Sequence, residues 1–385
     1  MDKVRIGIIG AGNMGSGHAT HIAAGRVPHA ELTAICDSDP RRTEGASERF
    51  GEEIRTFNDA TAFLSSGTAD GVIICTPHYD HSSLAIEAFG NGLHVMIEKP
   101  AGVYTKQIRK MNEAAAKSDR VFSIMFQRRV VSQSQKLKEI VSSGELGEIL
   151  RINYVVTHWF RAQSYYDSGG WRATWSGEGG GVLMNQCPHN LDLLQWICGM
   201  PKRVRAFCQF GKYHDIEVED DVTAFVEYEN GATGLFVATT GEAPGTDRFE
   251  IAADRGKVVA ENGRITFWRT RVPVRQFTRE HTGGFGMPET WECDIPIPDV
   301  EEGHHVLTKN WVESILEGTP LIAPGEEGIH SLELSNAMLL SAWTDDWVEI
   351  PVDEDLYLEK LKEKIDNSTF EKGAGGSRVL DISRS

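Results

Sequence analysis

Over the first 125 residues, short runs of β-branched and aliphatic residues alternate with longer stretches whose polar and apolar positions recur at helical spacing. The runs are residues 4–9, 32–36, 71–75, 94–97 and 121–126. This alternation predicts parallel strands joined by crossover helices, because parallel neighbours need a long connection between them. From about residue 150 the texture changes to alternating strands and hairpins. Asn230-Gly231 joins 222–228 to 232–239, and Asn262-Gly263 joins 257–260 to 264–268. Asn-Gly between two such runs signals a type I′ turn, which needs positive φ at both central residues. Helical patterns cover 182–198, 304–317 and 326–343, the last two separated by a Pro/Gly-rich turn. The expected class is α/β: a doubly wound parallel sheet over residues 1–128, then an α+β region over 129–352 built on an open, mostly antiparallel sheet. In the tail, 353–385, Leu358, Leu361 and Ile365 keep helical spacing before a glycine/serine stretch at 373–377 that should fray.

Length and charge narrow the function classes. At 385 residues the chain is long enough for two cores. Its 56 acidic against 39 basic residues give a formal charge of −17, which repels nucleic acid and anionic lipid. The six cysteines show no CxxC pair or metal-ligand spacing and read as reduced thiols. The apolar run at 4–9 is too short to span a membrane and no cleavage site follows it, so a cytoplasmic protein with no membrane partner is expected. No HExxH or clustered-carboxylate pattern calls for a metal.

Directly after the first strand stands Gly10-Ala11-Gly12-Asn13-Met14-Gly15, a GxGxxG turn between a strand and a helix. Gly10 permits the tight turn, Gly12 lets the backbone approach a pyrophosphate, and Gly15 allows close packing of a helix whose first amides face that anion. Asp37 lies 22 positions beyond Gly15, at the end of the second strand. A carboxylate there accepts the ribose hydroxyls of NAD and repels the additional phosphate of NADP, so NAD is the expected cofactor. Arg41 and Arg42 follow Asp39-Pro40 and read as the first turn of a helix.

Ligands of such sheets bind outside the C-terminal ends of the strands. That edge collects Asp37, then Thr76-Pro77-His78, then Glu98-Lys99-Pro100, then Gln127-Arg128. Lys99 precedes proline, which holds its backbone extended. An ammonium there can stabilise a developing alkoxide or carry the hydroxyl proton, its pKa lowered by burial. Alternatively it is a surface lysine paired with Glu98.

The glycine turn, Glu98-Lys99-Pro100 and the later Gly179-Gly180-Gly181, His189 and Asp192 resemble the glucose-fructose oxidoreductase/inositol dehydrogenase/MocA family from Val4 to about Pro351. The resemblance implies a Rossmann domain followed by an α+β domain whose open sheet often forms subunit contacts, hence a homodimer or homotetramer. It implies a catalytic lysine, matched by Lys99, and a catalytic histidine in the central helix of the second domain, matched by His189. Relatives commonly carry Asp four residues before that histidine, where this chain has Asn185. They usually have Asn where His78 stands, while His81 matches a family histidine and is expected on the cofactor side.

Residues four apart share a helical face, so Asn185 can orient His189 or bind a substrate hydroxyl. Against that geometry, an interior Pro188 removes a helical hydrogen bond and kinks the helix unless the helix begins there. Asp192 either supports His189 or serves as a cap. Trp171 and Arg172 suit a sugar ring, one by stacking and the other by holding oxygens. Gln127 and His158 are placed by their position at strand ends. The set has no second dedicated anion site, so a neutral sugar or polyol is expected, oxidised at a ring hydroxyl with NAD or formed from the matching keto compound. A redox-neutral glycosidase or lyase working through transient oxidation is the alternative. A sensor that binds dinucleotide without chemistry is the third reading, and retention of both Lys99 and His189 opposes it.

Overall fold

The computed structural model describes residues 2–371, so the stretch at 373–377 lies outside the described residues. The first sheet contains β1 (Val4–Ile9), β2 (Ala30–Cys36), β3 (Arg55–Phe57), β4 (Gly71–Ile74), β5 (His94–Ile97) and β6 (Phe122–Ile124). All pair in parallel, in the order β3-β2-β1-β4-β5-β6. Every residue of β4 and β5 is buried, as expected where helices cover both faces of a sheet. The edge strand β3, with a single apolar residue among three, is too short and polar to announce itself in the sequence.

The second sheet contains β7 (Ile149–Val156), β8 (Arg203–Phe210), β9 (Glu219–Glu227), β10 (Thr233–Thr239), β11 (Asp247–Ala253), β12 (Gly256–Glu261), β13 (Arg264–Thr270), β14 (Thr290–Ile295) and β15 (Val348–Glu349). Its order is β14-β13-β12-β11-β7-β10-β9-β8-β15, antiparallel except for the β7/β10 pair. Alternation of buried and half-exposed residues along β9 and β10 means that one face is packed. Both expected hairpins form. At 262–263 both residues have positive φ, +50° and +72°, as a type I′ turn requires. At 230–231 only Gly231 does, at +83°, and its N–H bonds the Tyr228 carbonyl at 2.9 Å. That hairpin therefore closes through a three-residue loop ending in a left-handed glycine, not a type I′ turn.

The helical pattern at 182–198 divides into Val182–Asn185 and Pro188–Cys198, with Pro188 in the first turn of the second helix. Proline lacks the N–H that a continuous helix would need there, and its fixed φ suits a helix start. The helix Gly328–Thr344 packs on β8 and also against the helix Thr105–Lys117 beside the first sheet. Its Asn336 accepts the Thr105 N–H at 3.2 Å and donates to the Val103 carbonyl at 3.0 Å. The helix His304–Glu317 likewise returns to the first half, packing on Asn13–Ala23 and β1. Both helices thereby tie the second half of the chain to the first sheet. Among the described residues no helix is long and apolar enough to cross a membrane.

Candidate active site

The cofactor end is built from backbone. Gly10 has φ +92°, and a Cβ there would lie 2.7 Å from the Cys75 carbonyl. A Cβ on Gly15 would lie 1.9 Å from the Gly10 oxygen, so the helix Asn13–Ala23 approaches the strand end as closely as glycine allows. Gly12 meets nothing nearer than the Arg42 guanidinium at 3.8 Å, which leaves its face open to a pyrophosphate. No side chain caps the helix that begins at Asn13 and Met14, so its amides point to the same space. Asp37 is buried and accepts the N–H groups of Ala11 at 2.8 Å and Asp39 at 2.9 Å, with Arg42 at 3.3 Å. The carboxylate thus braces the glycine turn.

At the next strand ends, the two ring nitrogens of buried His81 lie 2.8 Å from the Thr76 carbonyl and 2.9 Å from the Pro100 carbonyl. His81 therefore ties the Thr76-Pro77 turn to the Lys99-Pro100 turn. His78 turns toward the second domain, where its Nδ1 is 3.3 Å from the Glu178 carbonyl and its ring meets Trp171 edge-on at 5.5 Å. Glu98 is buried 2.9 Å from His18 Nε2 and accepts the Lys99 N–H at 3.2 Å. Burial alone would raise this carboxyl. The hydrogen bond and charge of His18, with His304 and Lys99 nearby, outweigh burial and hold it at about 2. The Glu98 carboxylate is thus engaged by His18 and by the Lys99 backbone N–H.

Lys99 Nζ donates to the Asn185 carbonyl at 3.0 Å across the cleft. Burial lowers its pKa, opposed by Glu98 and Glu178 and reinforced by Arg172 and Arg161. His189 is buried, with its pKa pushed well down by burial and then by Lys99, Arg128 and His304. A neutral imidazole beside a cationic lysine can accept a proton.

The break before Pro188 puts Asn185 and His189 on separate helices, so their expected shared face does not exist. Asn185 instead bonds the Glu178 carboxylate through its amide and accepts from the Tyr165 hydroxyl at 3.0 Å. Asp192 does not support His189 either. It is fully buried in a two-point pair with Arg129, at 2.8 and 2.6 Å, and accepts from Gln195 at 2.9 Å. Arg129 also bonds Glu327, joining the helix Pro188–Cys198 to the segment that precedes Gly328–Thr344.

The glycine run at 179–181 has a packing cause. A Cβ on Gly181 would lie 2.0 Å from the Glu219 backbone oxygen, and one on Gly179 would lie 2.2 Å from Val103. The buried Glu219 carboxyl accepts the N–H groups of Gly181 at 2.9 Å and Leu183 at 3.0 Å, and burial pushes it up to about 7.

The wall contains residues that spacing did not single out. The Tyr165 hydroxyl receives Arg172 at 2.8 Å and Gln186 at 3.2 Å. Arg172 stands over both the Tyr165 and Trp171 rings, at 4.6 and 4.7 Å. His158 lies 3.8 Å from Asp247, beyond hydrogen-bond distance. Among the described residues, several buried polar atoms without a hydrogen-bond partner belong to segments lining this cleft: Thr76 Oγ1, Gln127 Oε1, His158 Nδ1, Gln186 Oε1 and His189 Nδ1. Buried polar atoms normally find partners, so these fit a polar ligand set such as a nicotinamide amide and a hydroxylated substrate.

A glycine turn at a strand–helix junction, with a half-buried lysine and a neutral histidine at the edge it serves, defines an NAD-binding oxidoreductase. The chain belongs to the Gfo/Idh/MocA family: its residues 4–126 match the oxidoreductase family's NAD-binding Rossmann fold and residues 134–259 match the GFO/IDH/MocA C-terminal domain. It is 33% identical to the D-glucoside 3-dehydrogenase of Escherichia coli over 59% of this chain and 68% of that protein. Identity to the myo-inositol 2-dehydrogenase of Thermotoga maritima is 27%, over 87% of this chain and 95% of that one. A crystal structure of the WlbA dehydrogenase from Chromobacterium violaceum, with NADH and UDP-GlcNAcA, superposes with a TM-score of 0.79 at 30% identity, covering 92% of this chain and 97% of that one.

Proposed function

We propose that the protein oxidises a secondary ring hydroxyl of a sugar, glycoside or cyclitol, or reduces the matching keto group. The observation that carries this reading is Lys99 held across the cleft by the Asn185 carbonyl, with neutral His189 close enough to feel its charge. The glucoside and inositol dehydrogenases among its relatives support the same substrate class. When bound, NAD supplies the hydride acceptor. Gly10, Gly12, Asn13, Met14 and Gly15 would hold its pyrophosphate and Asp37 its ribose, with Thr76, Pro77, His78, His81 and Glu98 along the nicotinamide side. His189 takes the hydroxyl proton at its imidazole. Lys99 orients the reacting oxygen and stabilises negative charge on it. Trp171, Arg172, Asn185, Gln127 and His158 form the substrate wall, Asn185 through the Tyr165 network rather than by orienting His189.

The functional division we draw is 1–128 for cofactor, 129–352 for substrate and subunit contacts, and 353–385 as a tail. The open sheet suits homodimer or homotetramer formation, and six free thiols suit the reducing cytoplasm. The test is incubation with NAD and a panel of sugars, glycosides and cyclitols, following nicotinamide absorbance in both directions. Net NADH formation with a ketone product is the expected result. Product formed without net NADH would replace it with the redox-neutral elimination.

A further inference from the structure

Arg161 lies on the substrate wall, outside every motif considered above. Its guanidinium stands over two aromatic rings, 5.6 Å from the centre of Trp159 and 5.1 Å from that of Tyr165. Its NH1 donates to the neighbouring Phe160 carbonyl at 3.0 Å. Among the described residues no carboxylate lies within ion-pair distance of it, whereas Arg128 on the same wall has Asp247 at 3.5 Å.

The backbone of Arg161 is held equally firmly. Its N–H donates to the Thr240 carbonyl at 2.9 Å, and its own carbonyl lies 2.8 Å from His214 Nε2. The other ring nitrogen of His214 is 3.0 Å from the fully buried Asp220, which also accepts the N–H groups of Lys212, Tyr213 and His214 at 2.9, 2.8 and 3.1 Å. Residues at the ends of β9 and β10 thus fix the chain, and the guanidinium lies against the Trp159 and Tyr165 rings. A planar fork of N–H donors so placed matches the two oxygens of a carboxylate or phosphoryl group. Arg161 is close enough to the reaction centre for its charge to help depress the pKa of both Lys99 and His158.

We infer that Arg161 binds an anionic substituent of the substrate, so that the preferred substrate is an acidic sugar, a carboxylate or phosphate ester, rather than a neutral ring. This rests on the dehydrogenase reading above and departs from the neutral substrate expected from a sequence with no second dedicated anion site. The whole-chain charge disfavours anions at long range, and a local unpaired guanidinium restores their binding at one point.

The experiment compares wild type with Arg161→Met and Arg161→Lys on a hexuronate, a hexose 6-phosphate, the corresponding neutral hexose and myo-inositol. It reads kcat and KM with NAD, and reads binding to the NADH-loaded enzyme by calorimetry. Expected is a preference for one of the two anions, which also identifies the anion class. For that anion Arg161→Met should raise KM and Kd about 10- to 100-fold and leave kcat within a few-fold, with Arg161→Lys in between. Values for the neutral rings should move less than about threefold. Neutral rings preferred by wild type, or lost equally with the anions in Arg161→Met, would overturn the inference and leave the dehydrogenase reading standing. Anion binding through Arg161 without nicotinamide turnover in either direction would overturn the dehydrogenase reading alone.

Discussion

The two sides of the cleft are made of different material. On the cofactor side, the groups we propose for recognition are backbone amides and the absent side chains of Gly10, Gly12 and Gly15, with Asp37 bracing the turn through the Ala11 N–H. On the substrate side, they are side chains drawn from separate segments, held by one another: Tyr165 to Asn185, Asn185 to Glu178, Asp192 to Arg129, and Glu219 to the amides of Gly181 and Leu183. A site made of backbone tolerates changes in its neighbours, while a site made of buried polar pairs depends on each partner. The buried carboxyls show the same contrast. Glu98, paired with His18, stays ionised, whereas Glu219, among amides alone, is pushed toward neutrality.

The sharpest way to break this comparison is Asp192→Ala. It leaves the Arg129 guanidinium, 1% exposed, without its two-point partner, and should cost about 3–5 kcal/mol of stability in urea unfolding. NAD affinity of the folded fraction should be unchanged. Normal stability with a collapsed kcat would instead return Asp192 to the support of His189.

Glu219 tests the same wall through pH. Its folded pKa, about 7, lies above the ordinary 4.5, so its contribution to stability is fully present below about pH 4.5 and lost as pH rises through 7. Relative to Glu219→Gln, the wild-type unfolding free energy should fall by about 3 kcal/mol between pH 4.5 and pH 8. A pH-independent difference would mean that the carboxylate is already well solvated by the amides. Glu98 has the opposite sign: its stabilisation is present above about pH 4.5 and lost as pH falls toward 2.

Lys99→Met keeps an apolar stem but removes the charge and the donor to Asn185. Turnover should drop about 100-fold, or about 2.7 kcal/mol, with NAD affinity by fluorescence titration nearly unchanged. Near-normal turnover would remove Lys99 from the mechanism. The smallest effect belongs to the cofactor side. Asp37→Ser relieves repulsion of a 2′-phosphate and frees Arg42, so the preference for NAD over NADP should narrow about tenfold, measured by the two dissociation constants. Equal affinities in the unmodified protein would refute the assigned role of Asp37.

Local pattern alone determined much of this protein. The glycine turn, the parallel strands whose ends carry Asp37, Thr76 and Lys99, and both hairpins follow from signals contained within a few residues, because turn geometry and strand alternation are local properties of the backbone. His189 became a candidate only through the family resemblance. Only the tertiary structure decided that Asp192 serves Arg129, that Pro188 starts a new helix and separates Asn185 from His189, that Gly179 fits against Val103 and Gly181 against Glu219, and that Arg161 stands over Trp159 and Tyr165 with no carboxylate in ion-pair distance among the described residues. Each of these depends on which side chain meets which across tens of residues of chain. A partner chosen by packing and by the need to satisfy buried charge leaves no periodicity in the sequence to announce it.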